Sequence, residues 1–356
     1  MNLDAMLPFI VLGALICSGV LTIAGRELAI RFGVLDQPTG GRKIHERPTA
    51  LWGGAGIGIV LISVISVSAM LFQTDELRTG QLVGFGLGIL ILLIGGMLDD
   101  RYDLSPKIQI LFPLAASISV LLSGSGIVQV SDPFGPGALS LVWAQLPLGP
   151  VTLSFPSDLL TILWLMTVTY AMKLLDGLDG LVAGLTVIGA LLIAGLAGSE
   201  AYFQPFIAML ALAVAAAYLG FLPFNRSGSI FLGEAGSTIA GFSLGVLAII
   251  SGAKVAIAAT ALGVPLVDIA IVVIGRLIRG VSPFKGDNTH LHFRLLQAGL
   301  SRRNAVRLIW GIAGAFGLAA LTLQTQGKMF LFAGLVACIL TISTVAYQRS
   351  RKKKMN

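Results

Sequence analysis

Charge is scarce in this chain of 356 residues. Only 12% are Asp, Glu, Lys or Arg, against about 25% in ordinary soluble domains. With 56% of residues hydrophobic, a water-soluble globular domain is excluded and an integral membrane protein is expected. Cysteine is almost absent: Cys17 and Cys338 both lie inside apolar runs, which rules out a disulfide framework and leaves the redox compartment unread. No Walker A motif occurs, which argues against an ATPase. The first apolar run, Leu7 to Ala24, lacks a basic flank before it, so no cleavable signal is expected. Histidine is limited to His45, His290 and His292.

What is abundant is apolar length. Cutting the chain at polar and Gly/Pro clusters gives an all-α polytopic fold of about eleven transmembrane helices, near 6–24, 51–72, 81–98, 108–128, 157–172, 182–199, 204–222, 237–252, 256–278, 305–323 and 329–347. Residues 1-356 read as a single multi-pass domain. Within it, 129-157 is expected to form a small external β-hairpin around FGPG and LPLGP. A histidine- and arginine-rich loop spans 279-304, and a basic tail spans 348-356. With the loop after the first helix placed in the cytoplasm, all of the 24 Lys and Arg except Arg78, Lys254 and Lys328 fall on that side. The N-terminus is then outside and the C-terminus cytoplasmic. The tail is an anchor on anionic headgroups, and the net charge of +7 needs no nucleic acid.

The chain is organised around Lys173-Leu174-Leu175-Asp176-Gly177-Leu178-Asp179-Gly180-Leu181. Acids beside a membrane segment cost free energy and are retained mainly where they bind something. On a helix Asp176 and Asp179 would share a face. In the looser backbone that glycine permits, they could converge on one hard cation, Mg²⁺ or Mn²⁺. The plainer alternative is a helix-end loop whose acids cap or face water. Asp99 and Asp100 close another apolar span, where a helix C-terminus disfavours negative charge, and Lys107 follows them. The loop FLPFNRSGSIFLGEAGS adds Asn225, Glu234 and Phe231, the last able to stack on a base. Lys43 and His45 sit in a basic loop before glycine-rich GGAGIG.

His290 and His292, two apart, do not share a helical face and are expected to project from extended backbone. Zinc would need further ligands, and neither cysteine is near. With Lys285, Arg294, Arg302 and Arg303 alongside, the loop reads better as a phosphate clamp. All these candidates fall on the cytoplasmic side. Acids that hold a divalent ion and bases that hold phosphates are the parts of phosphoryl transfer. A transporter would instead place ionisable residues in mid-helix.

In order, KIHERPT, GGMLDDRYDLSPK, DGLDGL, FLGEAGS and HLHFRLLQAGLS resemble the polyprenyl-phosphate N-acetylhexosamine-1-phosphate transferases, the relatives of the lipid I-forming translocase, and in particular their glycan-initiating branch. The resemblance implies eleven helices with the N-terminus outside, a bacterial inner-membrane location and an active site on the cytoplasmic face. It further implies transfer of N-acetylhexosamine-1-phosphate from a UDP-sugar to undecaprenyl (polyprenyl) phosphate with Mg²⁺, releasing UMP and initiating lipid-linked cell-envelope glycan synthesis. Partners would be that lipid, UDP-N-acetylhexosamine, the membrane and a second copy of the chain. Asp99 and Asp100 correspond to acids at the lipid phosphate, Asp99 as base. Asp176, Asp179 and Glu234 correspond to catalytic and metal-binding acids. Lys43, His45, Lys107, Lys173, Asn225, Phe231, His290, His292, Arg294 and Arg302 are the substrate-binding expectations. The chain departs from the family at Lys173, where Asn is usual, at Glu234, where Asp is usual, at Phe293 in place of another His, and at Ala50-Leu51, where Pro-Arg is common. The departures raise an alternative: a noncatalytic relative that binds a lipid phosphate.

Overall fold

Long apolar stretches become helices here because lipid leaves no other way to satisfy the backbone. The computed structural model describes residues 3–38, 47–72, 78–132, 135, 137–148, 151–226, 228–252, 262–281 and 289–355. Along them run α1 (Leu3–Arg31), β1 (Leu35–Asp36), β2 (Thr49–Ala50), α2 (Gly53–Leu71), α3 (Thr79–Tyr102), α4 (Pro106–Gln109) and α5 (Leu111–Leu122). After four short strands come α6 (Ser157–Leu175), α7 (Leu181–Ala197), α8 (Pro205–Arg226), α9 (Gly233–Ile250), α10 (Gly263–Ile278), α11 (Leu291–Gln297), α12 (Arg302–Thr322) and α13 (Thr325–Met355).

Eight helices among the described residues are long and apolar enough to cross a membrane: α1, α2, α3, α6, α8, α9, α12 and most of α13. Pro106–Leu122 and Leu181–Ala197 are shorter apolar helices. The chain is therefore an all-α polytopic membrane protein. Its centre is α9, of which 94% of the apolar window is buried, whereas the figure is 17% for α1 and 22% for the last helix. Around α9 pack α6, α3, α2 and α7; α8 lies between α7 and α1. The glycine-, alanine- and serine-rich run of α9 suits that position, because small residues let helix backbones close up where lipid supplies no hydrophobic drive. The peripheral helices carry the large exposed apolar side chains, Phe9, Ile16 and Phe330 among them, as a lipid-facing surface requires.

The stretch 129-157 folds as two antiparallel pairs, β3 (Gln129–Ser131) with β4 (Ala138–Ser140) and β5 (Val142–Leu148) with β6 (Val151–Pro156). The expected single hairpin is thus doubled. Asp158 holds its base, accepting a hydrogen bond from the Ser154 N–H at 2.7 Å. At the opposite end, β1 pairs with β2. Ala50 forms a parallel bridge to Ile230, which stitches the loop before α2 to the loop before α9.

Candidate active site

The acids that look misplaced in the sequence are explained by where α3 ends. Its C-terminus meets the N-terminus of α9, and the Asp100 Oδ1 accepts the Glu234 backbone N–H at 3.0 Å. A carboxylate that a helix C-terminus disfavours is thereby placed at the N-terminus of another helix, which favours it. Its second oxygen, Oδ2, is buried and has no hydrogen-bond partner. Gly233 makes the approach feasible: it has φ +73°, and a Cβ there would sit 2.6 Å from that oxygen.

Asp99 turns toward the segment that follows. Its Oδ1 accepts from the Leu104 N–H at 2.9 Å and from Gln109 Nε2 at 2.8 Å. The same amide accepts through Oε1 from Lys173 Nζ at 2.9 Å. Lys173 in turn pairs with Glu234 Oε1 at 2.5 Å, the two side chains being only 15% and 16% exposed, and its ammonium lies 5.4 Å from the Tyr170 ring centroid. One continuous chain, Asp99 to Gln109 to Lys173 to Glu234, therefore joins the ends of α3, α4, α6 and α9. Beside it is a cleft of about 10 Å³, walled by Leu92, Phe112 and Pro113. That is room for about one water, so no nucleotide fits there.

The DGLDG loop has the opposite character. Asp176 and Asp179 are exposed, on the turn between α6 and α7. Asp176 is accessible yet ringed by protein; desolvation first, then the charges of Asp179 and Glu234, push its carboxyl up to about 8. The loop's shape is fixed from behind by Asn225. Its Oδ1 accepts the Gly180 N–H at 2.5 Å, and its Nδ2 donates to the Ile230 carbonyl at 3.1 Å. Asn225, one of the substrate-binding expectations, is buried and braces two loops. Behind the loop, Leu219, Leu222, Pro223, Arg226 and Arg303 line an open cavity of about 500 Å³.

The backbone expected at the histidines is corrected. His290 has extended backbone as the N-cap of α11, but His292 lies inside that helix. Their rings stack at 6.0 Å with an interplanar angle of 13°. His290 Nδ1 is 2.7 Å from Asp268 Oδ2, and the Leu291 N–H donates to Asp268 Oδ1 at 2.7 Å. His292 is fully buried. It packs against Gly177 so closely that a Cβ there would collide with its ring. Neither of its ring nitrogens has a hydrogen-bond partner. Desolvation lowers it to about 4, partly opposed by Asp268 and reinforced by His290, so it is neutral at pH 7.

The other expectations divide. Lys43, His45 and Lys285 lie outside the described residues. Lys107 is exposed on α4. Phe231 is held by its backbone, donating to the Ala50 carbonyl at 2.8 Å and accepting from the Gly53 N–H at 3.1 Å. Arg294 donates to the Thr289 carbonyl at 2.6 Å and to Ser343 Oγ at 2.5 Å, which ties α11 to α13. Arg302 opens α12, exposed, one residue after the N-cap Ser301. Sequence reasoning missed Gln109 and Asp268. Asp268, an acid inside an apolar helix, was a readable signal; Gln109 gave none.

The chain matches the model of glycosyl transferase family 4 over residues 82–252. It is 32% identical over 313 residues to a probable undecaprenyl-phosphate N-acetylglucosaminyl 1-phosphate transferase of Bacillus subtilis, covering 86% of this chain and 82% of that protein. It is 30% identical over 354 residues to a decaprenyl-phosphate N-acetylglucosaminephosphotransferase of Mycolicibacterium smegmatis, covering 90% and 83%. An undecaprenyl-phosphate alpha-N-acetylglucosaminyl 1-phosphate transferase of Yersinia pestis is 28% identical over 325 residues, covering 87% and 82%. With both acid groups, the glycine loops and the histidine helix gathered at one end of the bundle, the chain belongs to glycosyl transferase family 4, among its polyprenyl-phosphate N-acetylglucosamine-1-phosphate transferases.

Proposed function

We propose that the protein transfers an N-acetylhexosamine-1-phosphate from a UDP-sugar to polyprenyl phosphate. A phosphate oxygen of the lipid forms a bond to the β-phosphorus. The bond from that phosphorus to the bridging oxygen breaks, and the oxygen leaves with its electron pair as part of UMP. The observation that carries this reading is the Asp99–Gln109–Lys173–Glu234 chain set beside the open DGLDG loop. It offers a charged, oriented wall next to a place where a pyrophosphate can enter. Asp99 faces the lipid phosphate through Oδ2, since Oδ1 is held by Leu104 and Gln109. His292, neutral and without a partner, is a hydrogen-bonding group at the back of the loop. In a phosphoryl transfer, positioning and charge neutralisation are most of the catalysis.

A divalent ion on Asp176, Asp179 and Glu234 is what the resemblance implies. Those three do not fit a resident ion as they stand. Glu234 is held by Lys173, and among the described residues no three His, Cys, Asp or Glu side chains could hold a metal. We therefore place Mg²⁺ or Mn²⁺ with the donor, as counter-ion of its pyrophosphate, and route no step through the protein's own acids as ligands.

The apolar runs support eleven spans and the resemblance a bacterial inner membrane, while the Lys/Arg distribution supports an orientation with the N-terminus and the strand pairs outside and the site at the cytoplasmic face. The direct test is release of UMP when purified protein receives polyprenyl phosphate, Mg²⁺ and a panel of UDP-sugars. UMP with at least one N-acetylhexosamine donor is expected. A folded preparation that releases none with any donor would replace this reading by a lipid-phosphate-binding relative without turnover.

A further inference from the structure

Lys173 sits where the acids of the site converge, and three observations bear on what it does there. First, its ammonium is saturated: one hydrogen bond goes to Glu234, one to Gln109, and the face of Tyr170 lies 5.4 Å away. An ammonium has three protons to place, and these partners surround it. Second, three of the nearby acids already have an oxygen committed to a protein donor: Glu234 to Lys173, Asp99 to Leu104 and Gln109, and Asp100 to the Glu234 backbone. Third, the lysine side chain is largely buried and drawn in from the end of α6, with its basic residue in the last turn of that helix.

We infer that Lys173 is the resident cation of this site: its ammonium occupies the position at Glu234 that a divalent ion would need. A second cation beside it would be repelled in a region of low dielectric. The Glu234 side chain aims it, and the Gln109 amide couples its position to Asp99 at the lipid side. Lys173 gives up no proton in this scheme; its charge answers Glu234 from within the wall of the site. The inference rests on the transfer reading for its substrate, but its structural content, an ammonium in place of a protein-bound metal, is testable without turnover.

The experiment is Mn²⁺ uptake by the full-length protein in detergent, free of nucleotide, followed by the electron paramagnetic resonance signal of unbound Mn²⁺. The wild type should take up no stoichiometric Mn²⁺. Lys173→Asn should free Glu234 and gain one site at least ~10-fold tighter than any in the wild type, while Lys173→Arg, which keeps the charge, should not. Lys173→Met retains the apolar stem and replaces Lys173→Asn if that variant does not fold. One Mn²⁺ bound by the wild type as tightly as by Lys173→Asn would overturn the inference, and so would no gain in either neutral variant. Because Mn²⁺ uptake needs no donor, absence of UMP release would refute the transfer reading while leaving this result to stand or fall separately.

Discussion

The two acid groups of the site are built in opposite ways. Asp99, Asp100 and Glu234 are interlocked with Gln109, Lys173 and the N-terminus of α9, with only Asp100 Oδ2 among their bonded groups left buried and unpartnered. Asp176 and Asp179 lie exposed on a glycine turn whose back is braced by Asn225 and His292. A buried carboxylate without a partner is costly. The first group is therefore part of the bundle's structure as well as of its chemistry. The second is shaped by the bundle but kept open, which is the arrangement a charged donor needs.

Substitutions should separate the two groups, most strongly in turnover. Asp179→Asn should lower UMP release by about 10²–10⁴-fold with its effect in donor affinity, and thermal unfolding in detergent should hardly move, because an exposed turn contributes little to packing. Asp99→Asn should lower kcat by a similar ~10²–10⁴-fold. Wild-type turnover by either variant would remove that residue from the mechanism. Glu234→Gln is the contrast: by leaving Lys173 without its counter-charge, it should lower both turnover and stability, the latter by about 3 kcal/mol. An unchanged unfolding temperature for Glu234→Gln would erase the distinction between the groups.

The same comparison explains what could be read in advance. Asp176, Asp179, Asp99, Asp100 and Glu234 were visible because each is a charge out of place in an apolar chain, and the helical fold followed from hydropathy alone. What could not be read is which acid answers which partner. Gln109 is an ordinary amide in KIQI, and only the contact of α3 with α5 and α9 makes it the link between Asp99 and Lys173. Asn225 stood among the substrate-binding expectations. Its buried bonds to Gly180 and Ile230 arise from tertiary closure, which no local pattern encodes.

His292 gives a pH-dependent test on the braced side of the loop. Its folded-state value of about 4 lies below the ordinary 6.5, so the unfolded chain binds the proton more tightly. The neutral burial is harmless above about pH 6.5, and stability is lost as pH falls from there toward 4, by on the order of 3 kcal/mol at the low end. The unfolding temperature of the wild type should drop over that window, and His292→Asn should flatten the drop. An equal slope in both would place the acid sensitivity elsewhere.

The smallest effect is also the most specific, because it asks whether the interlocked group acts as a unit. Lys173 and Glu234 touch at 2.5 Å, and residues in contact commonly couple by 0.5–3 kcal/mol, against about 0.3–0.5 for independent sites. Glu234→Asp shortens the acid by one methylene and withdraws it from the ammonium; Lys173→Asn removes the ammonium and leaves the acid unanswered. Each single change therefore breaks the same bond, and making both should cost less activity than the two losses multiplied together. The wild type should also need more Mg²⁺ than the double variant, since its own ammonium repels a second cation from the acids that the double variant leaves open. A cycle that closes additively would mean the ion pair contributes nothing to the reaction. The wall of the site would then be Asp99 and Gln109 alone, with Lys173 an ordinary basic residue at a helix end.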